Sequence, residues 1–381
     1  MRKKICIVGQ GEGGNAKLWF DFLSEHKEFI DTKCILSFVC KNQRQFPANF
    51  KVFSPYGKKK TILPTFLMKI YKSLFFKCLM SVYYFFLFRS IRPDYIIIQG
   101  NYSPLYNKKI VDRFNGDFVI NIYGSDFYQL YYGGSDRYKG DFKAILQRAK
   151  YVTCNWFTTR DDLQKEFPEI SDKIVCIPWG VNSFWQLSPS SSKKKKEITF
   201  LSTRGLYTYN NVDKLVEAFC IVCGGKTKFK LNIINGYGNH PDVIQKIKDI
   251  INKYHCQNQI SLICNQWISD DKLKEYYVDA DYNFCIGDTD QLTVSIIYGY
   301  LTRTQNILSS LDAYKRLDNF GFKSQLILND VTLPTLVSFF ERVIAGQNII
   351  DDECTLNDYN VACKMNMCTT FEKYLELLWK I

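Results

Sequence analysis

Apolar runs of strand length alternate with amphipathic stretches of helix length along this chain, and the alternation runs through twice. In the first pass the strand-like runs are residues 3–9, 34–40, 95–99, 117–123, 151–154 and 173–178. The last four each follow a helix-like stretch, at about 64–92, 105–114, 142–150 and 158–167. Strands that alternate with helices pair in parallel through βαβ crossovers. The stretch LSPSSSKKKK at 187–196 breaks the rhythm; one Pro, four Ser and four Lys cannot bury a face, so it reads as a linker or exposed loop. Beyond it the strand-like runs are 198–202, 228–235, 259–264, 282–286, 306–309 and 325–328, with helices at roughly 211–222, 242–254, 270–277 and 292–301. A tail at 358–381 reads as one helix with Phe371, Tyr374, Leu375, Leu378 and Trp379 on one face. The expectation is an α/β chain of two Rossmann-like, doubly wound domains in tandem, 1–186 and 197–357, joined by 187–196 and followed by the helix 358–381. Ligands of open parallel sheets sit beyond the carboxyl ends of the strands, so two such domains facing each other would share a site in the cleft between them.

Composition narrows the class. Of 381 residues, 46% are apolar and 23% charged, which excludes disorder over most of the chain. The 14 cysteines are scattered, and the one C-x-x-C, Cys220 and Cys223, has no second pair at zinc spacing. His26, His240 and His255 form no cluster with ligand spacing, so no metal site is expected. The N-terminal MRKKICIVGQG runs straight into strand-like sequence, and a reducing cytoplasm is the natural reading. The formal charge is +12, and its location matters more than its size. No Asp or Glu lies between Asp31 and Asp94, whereas that stretch holds twelve Lys and Arg. An anionic partner is expected there.

Several strand ends carry candidate chemistry. Gly9-Gln-Gly11-Glu-Gly13-Gly14 follows the first strand as a G-x-G-x-x-G turn. The second strand ends in Lys41-Asn42-Gln43 without the acid that a dinucleotide ribose needs, so a βα turn facing another ligand or a purely structural turn competes with dinucleotide binding. Gly124-Ser125-Asp126 offers a carboxylate to a sugar or to acid–base chemistry, or caps the next helix. Gly180, in PWGVN, would permit a left-handed turn where the chain leaves the first sheet. Arg204 can present a planar fork of donors to a diphosphate, or simply sit in a surface salt bridge. Gly236, in INGYG, marks another turn at the same edge. Asp290, Gln291, Leu292 and Thr293 lead into a helix whose first amides could cradle an anion; Asp290 could also be that helix's cap, and Asp288-Thr289-Asp290 reads as a D-x-D cation motif. Residues 58–92 mix Lys and Arg with aromatics, suiting an anionic membrane surface or a helix packed on the first sheet.

In order and spacing these segments resemble the GT-B glycosyltransferases of family 4, also called group 1, over nearly the whole chain: the glycine loop Gly11–Gly14, GSD at 124–126, IPWGVN at 177–182, STRG at 202–205, INGYG at 234–238 and DQLTVSIIYGYL at 290–301. The resemblance implies transfer of a sugar from a nucleotide-diphosphate sugar, with retention and without a metal or other cofactor. It makes 1–186 the acceptor side, 197–357 the donor side and 358–381 a helix folding back onto the first domain. It implies that Arg204 grips the diphosphate, aided by Gly11, Gly13, Gly14, Gly236 and the amides at Gln291, Leu292 and Thr293. Asp290 would meet the donor sugar, and Asp126 would serve the acceptor side. Tyr298 places a phenol where the family has a second, ribose-holding carboxylate, and Tyr209 and Asn210 stand where it often has a lysine. The implied acceptor is a glycan or lipid-linked glycan of surface polysaccharide synthesis, reached from the cytoplasmic membrane face through residues 58–92. The competing readings are a non-catalytic scaffold of the same fold and a nicotinamide- or flavin-dependent oxidoreductase; nucleic acid is not an expected partner, because no recognised module accompanies the basic run.

Overall fold

The computed structural model describes residues 3–9, 30–36, 51–53, 82, 86, 88–101, 104–186, 197–235, 240–266, 268–347 and 352–379. The chain divides into two compact units, Met1–Pro178 with Met367–Ile381, and Trp179–Asn366.

In the first unit the strands are β1 (Lys3–Gly9), β2 (Ile30–Leu36), β3 (Lys51–Phe53), β4 (Tyr95–Gln99), β5 (Phe118–Ile122), β6 (Tyr151–Cys154) and β7 (Ile174–Cys176). They form one sheet in the order β3-β2-β1-β4-β5-β6-β7, with each pair parallel. The second unit holds β8 (Ile198–Ser202), β9 (Phe229–Asn235), β10 (Ile260–Cys264), β11 (Tyr282–Cys285), β12 (Gln305–Leu308) and β13 (Leu326–Ile327). Their order is β10-β9-β8-β11-β12-β13, again all parallel. Both sheets follow the 3-2-1-4-5-6 winding of a dinucleotide-binding fold, so strand order reverses between β1 and β4 and again between β8 and β11. Helices on both faces explain why the central strands read as continuous apolar runs: every residue of β5, FVINI, is buried.

Local sequence accounts for most helices. Pro241–Lys253 buries Val243, Ile247, Ile250 and Ile251 on one stripe and starts with proline in its first turn. Asp136–Arg148 begins before the expected position 142, because Ser135 Oγ accepts the Tyr138 amide as an N-cap while the charged first turn hides the signal. The helix Leu333–Ile344 is absent from the expected set, although Leu336, Phe339, Phe340 and Val343 lie on one buried face. β2 begins at Ile30, earlier than the expected 34, and the three-residue β3 is too short for periodicity to reveal.

The tail differs from a single helix. Asp352–Cys363 belongs to the second unit and Met367–Trp379 to the first. Asp358 is fully buried. Its carboxylate accepts the Lys323 and Ser324 amides, each at 2.7 Å, and the Ser324 hydroxyl at 2.6 Å. In the first unit, Tyr374 Oη donates to Thr153 Oγ1 at 3.2 Å and Thr370 Oγ1 to the Pro178 carbonyl at 3.0 Å. Gly180 is not in the left-handed region. A side chain there would instead overlap the Asn366 carbonyl, and the Val181 amide donates to the Met365 carbonyl at 3.1 Å. Close approach of the returning chain, and not a left-handed turn, requires the glycine.

Candidate functional site

The best-built polar site lies where strand order reverses in the second sheet. β8 ends at Ser202 and delivers Thr203 and Arg204, while β11 ends at Cys285 and delivers the loop that carries Asp290 into the helix Val294–Leu301. That helix is pinned to the sheet from below. Asn283 Nδ2 donates to the Ser295 carbonyl at 3.1 Å and to Asn306 Oδ1 at 2.7 Å, and Asn306 Nδ2 donates to the Ile296 carbonyl at 3.0 Å. Gly299 lets Asn306 come this close.

Arg204 is held from two sides. Its Nη2 lies 2.6 Å from Asp290 Oδ2, and its Nη1 donates to Thr293 Oγ1 at 2.8 Å. Only 16% of the Arg204 side chain and 14% of the Asp290 side chain are exposed, so this is not a solvated surface pair. Asp290 is further bound by Tyr314 Oη, which donates to Oδ2 at 2.7 Å, and by the Gln291 amide, which donates to Oδ1 at 2.8 Å. Burial first, and then the Asp290 charge, hold the Tyr314 phenol well above its usual range, so it stays a donor. Thr293 is the N-cap residue, yet its side chain caps no amide and accepts from Arg204 instead. Asp290 is therefore not the helix cap.

Beneath the pair, Thr203 Oγ1, Tyr277 Oη and Ser295 Oγ form a closed ring of hydroxyls at 2.7, 2.9 and 2.7 Å. Beside it, the loops after β8 and β11 are tied together. The Asp288 amide donates to the Tyr209 carbonyl at 2.7 Å. Asn211 Nδ2 donates to the Ile286 carbonyl at 3.0 Å and to Asp288 Oδ1 at 2.7 Å. Asn210 Nδ2 donates to the Gly205 carbonyl at 2.7 Å. The two carboxylates of the D-x-D thus serve different partners, and no group of three or more metal-ligating side chains occurs among the described residues.

The structure therefore brings Arg204, Asp290 and Thr293 together, with Gln291 and Leu292 buried beside them. The Gln291 amide is committed to Asp290. The Tyr298 ring stacks on Trp185 at 3.6 Å and 15°, with Tyr277 edge-on at 5.6 Å. Trp185 is held in place by the short helix Ser183–Trp185, where Lys274 Nζ donates to the carbonyls of Phe184 and Gln186. Gly11, Gly13, Gly14 and Gly236 lie outside the described residues. Tyr314, Trp185 and the hydroxyl ring belong to no motif; only burial in three dimensions reveals them.

Asp126, in the first unit, is fully buried. Its Oδ2 accepts the Asn101 amide at 2.7 Å and its Oδ1 the Tyr123 amide at 2.9 Å, so it staples the loops after β4 and β5. Burial pushes its carboxyl up to about 6 against the opposing pull of these amides. Gly124 precedes it at φ 88°, a conformation that explains the glycine of GSD. In this geometry Asp126 clamps the loops after β4 and β5.

Most of residues 58–92 also lies outside the described residues. At the described end, Phe88 and Ile91 enter the first core while Val82, Phe86 and Arg89 are exposed. No helix among the described residues is long and apolar enough to cross a membrane.

No family model matches the sequence, and no curated protein matches it. Solved structures do. Sucrose-phosphate synthase from Thermosynechococcus elongatus superposes with a TM-score of 0.74 at 13% identity, covering 100% of each chain. Anabaena HepE in complex with UDP-glucose gives a TM-score of 0.71 at 11% identity, covering 99% of this chain and 100% of that one. A glycosyltransferase from Rickettsia africae gives 0.66 at 14% identity, covering 100% of this chain and 98% of that one. At such identities the likeness concerns fold. The chain has the GT-B fold, built from two Rossmann-like domains.

Proposed function

We propose that this protein is a retaining, metal-independent glycosyltransferase that moves a sugar from a nucleotide-diphosphate sugar to a membrane-linked glycan or lipid acceptor. The observation that carries the reading is the Arg204 guanidinium, poised with Thr293 and Asp290 at the reversal point of the second sheet. Open α/β sheets bind nucleotides at that point. HepE, which shares the fold, is described in complex with UDP-glucose. As the nucleoside diphosphate leaves, negative charge grows on its terminal phosphate, and a guanidinium fixed in a site of low exposure stabilises that charge strongly. Asp290, beside it, would accept from hydroxyls of the donor sugar. The exposed Val82, Phe86 and Arg89, at the end of a stretch without acids, support contact with an anionic membrane face in the cytoplasm.

The test is Arg204→Ala. Removing a charge-assisted contact of about 2–3 kcal/mol should weaken nucleoside-diphosphate binding on the order of 10²-fold and abolish turnover of the nucleotide-sugar. Unchanged binding in a folded variant would refute the assignment. A second reading, a non-catalytic protein of this fold, draws on the covering of Tyr298 by Trp185. Calorimetry that detects no binding of any nucleoside diphosphate to the wild type would favour it.

A further inference from the structure

We propose that Asp290 is an internal stand-in for the donor's phosphate: the diphosphate binds by displacing the Asp290 carboxylate from Arg204, with which it pairs at 2.6 Å. The inference rests on the nucleotide reading above and deepens it.

The geometry has three parts. First, the guanidinium is already occupied by an anion. Nη2 meets Asp290 Oδ2 at 2.6 Å, and a phosphate oxygen approaching Nη2 must compete with it. Second, the carboxylate can give up the arginine without being stranded. Tyr314 Oη, at 2.7 Å from Oδ2, and the Gln291 amide, at 2.8 Å from Oδ1, remain as donors. Tyr314 is fully buried and cannot turn to solvent, so it remains a donor to the carboxylate as that group swings away from Nη2. Third, Thr293 Oγ1 retains Nη1 at 2.8 Å, so the guanidinium keeps its own anchor when Asp290 lets go.

The pair explains why this cation can be held so far from solvent: a buried, uncompensated charge is costly, and the carboxylate removes that cost. The exchange sets a charge requirement on the ligand. The two esterified phosphates of a nucleotide-sugar carry one charge each, two in all, against the single charge of the carboxylate, and UDP or pyrophosphate, whose terminal phosphate is not esterified to a sugar, carries more and should compete better. The released Oδ2 is then free to accept a hydroxyl from the sugar. Asp290 would thereby change partners once per binding event, from guanidinium to carbohydrate.

The experiment is calorimetric titration of UDP and of inorganic pyrophosphate, which makes no demand on the base, into the full chain and three variants. Asp290→Asn removes the competing charge and keeps an oxygen acceptor for Tyr314 or Gln291. It should bind both probes about tenfold more tightly than the wild type, equivalent to ~1.4 kcal/mol. Asp290→Glu, which keeps the charge, should show no such gain. Equal or weaker binding by Asp290→Asn, or an equal gain in Asp290→Glu, overturns the exchange. The nucleotide reading survives that result so long as Arg204→Ala weakens binding on the order of 10²-fold relative to the wild type. Absence of binding by every form removes the nucleotide reading, and the exchange with it. If Asp290→Asn does not fold, a wild-type structure with UDP decides: separation of Arg204 Nη2 and Asp290 Oδ2 beyond about 4 Å supports the exchange, and an intact pair overturns it.

Discussion

Replacing Gly299 by alanine tests how the site is supported. In an exposed helix interior the change would stabilise by about 0.5–1 kcal/mol, through helix propensity alone. Here the expected sign is opposite. The added Cβ would overlap Asn306 Oδ1 and lie 2.9 Å from Asn306 Cγ. A side-chain end usually yields cheaply, but Asn306 is fully buried and both its amide atoms are bonded, Oδ1 to Asn283 at 2.7 Å and Nδ2 to the Ile296 carbonyl at 3.0 Å. Moving it breaks both bonds. At about 1–3 kcal/mol for each of the two buried groups left without a partner, less the gain in helix propensity, the net loss is about 1–5 kcal/mol. For a domain of this size that lowers the melting temperature by roughly 2–20 °C. Differential scanning calorimetry of Gly299→Ala, Asn306→Ala and the double variant measures it. The double variant should be less destabilised than the sum of the singles, because the alanine at 306 leaves room for the new methyl. A Gly299→Ala protein that melts at or above the wild-type temperature would show that the helix is not held this way, and with it the account of how Thr293 and Ser295 are positioned.

Two further outcomes are expected. Asp126 has a folded-state carboxyl raised to about 6, so its stabilising contribution is complete below the ordinary carboxylate range near pH 4 and is lost as pH rises through about 6. Melting curves between pH 7 and pH 4 should show acidification stabilising the wild type by up to about 3 kcal/mol relative to its effect on Asp126→Asn; parallel pH dependences would refute the burial argument. If residues 58–92 meet a membrane, the protein should float with liposomes containing anionic lipid and less so at high salt, whereas recovery in the soluble fraction under both conditions removes that contact.

The tail and the glycine motifs show how far local sequence reaches. Residues 358–381 carry a helical pattern throughout, but nothing along the chain marks Asn366 as the place where it leaves one unit for the other. Gly124 and Gly180 are equally visible as glycines, yet one is required by a positive φ and the other by a carbonyl that arrives from far along the chain.

The sequence alone determined the two parallel sheets, because alternation of strand and helix periods is written residue by residue and leaves few ways to bury both faces. It also determined that Arg204 and Asp290 stand at strand ends, since position along a strand is local information. Only the tertiary structure decided what those side chains touch. That Asp290 is shared by Arg204 and Tyr314, that Trp185 covers Tyr298, and that Asp126 is sealed beneath two loops are through-space facts. Hydrogen-bond partners and burial depend on which segments packing brings together, and no spacing along the chain encodes that.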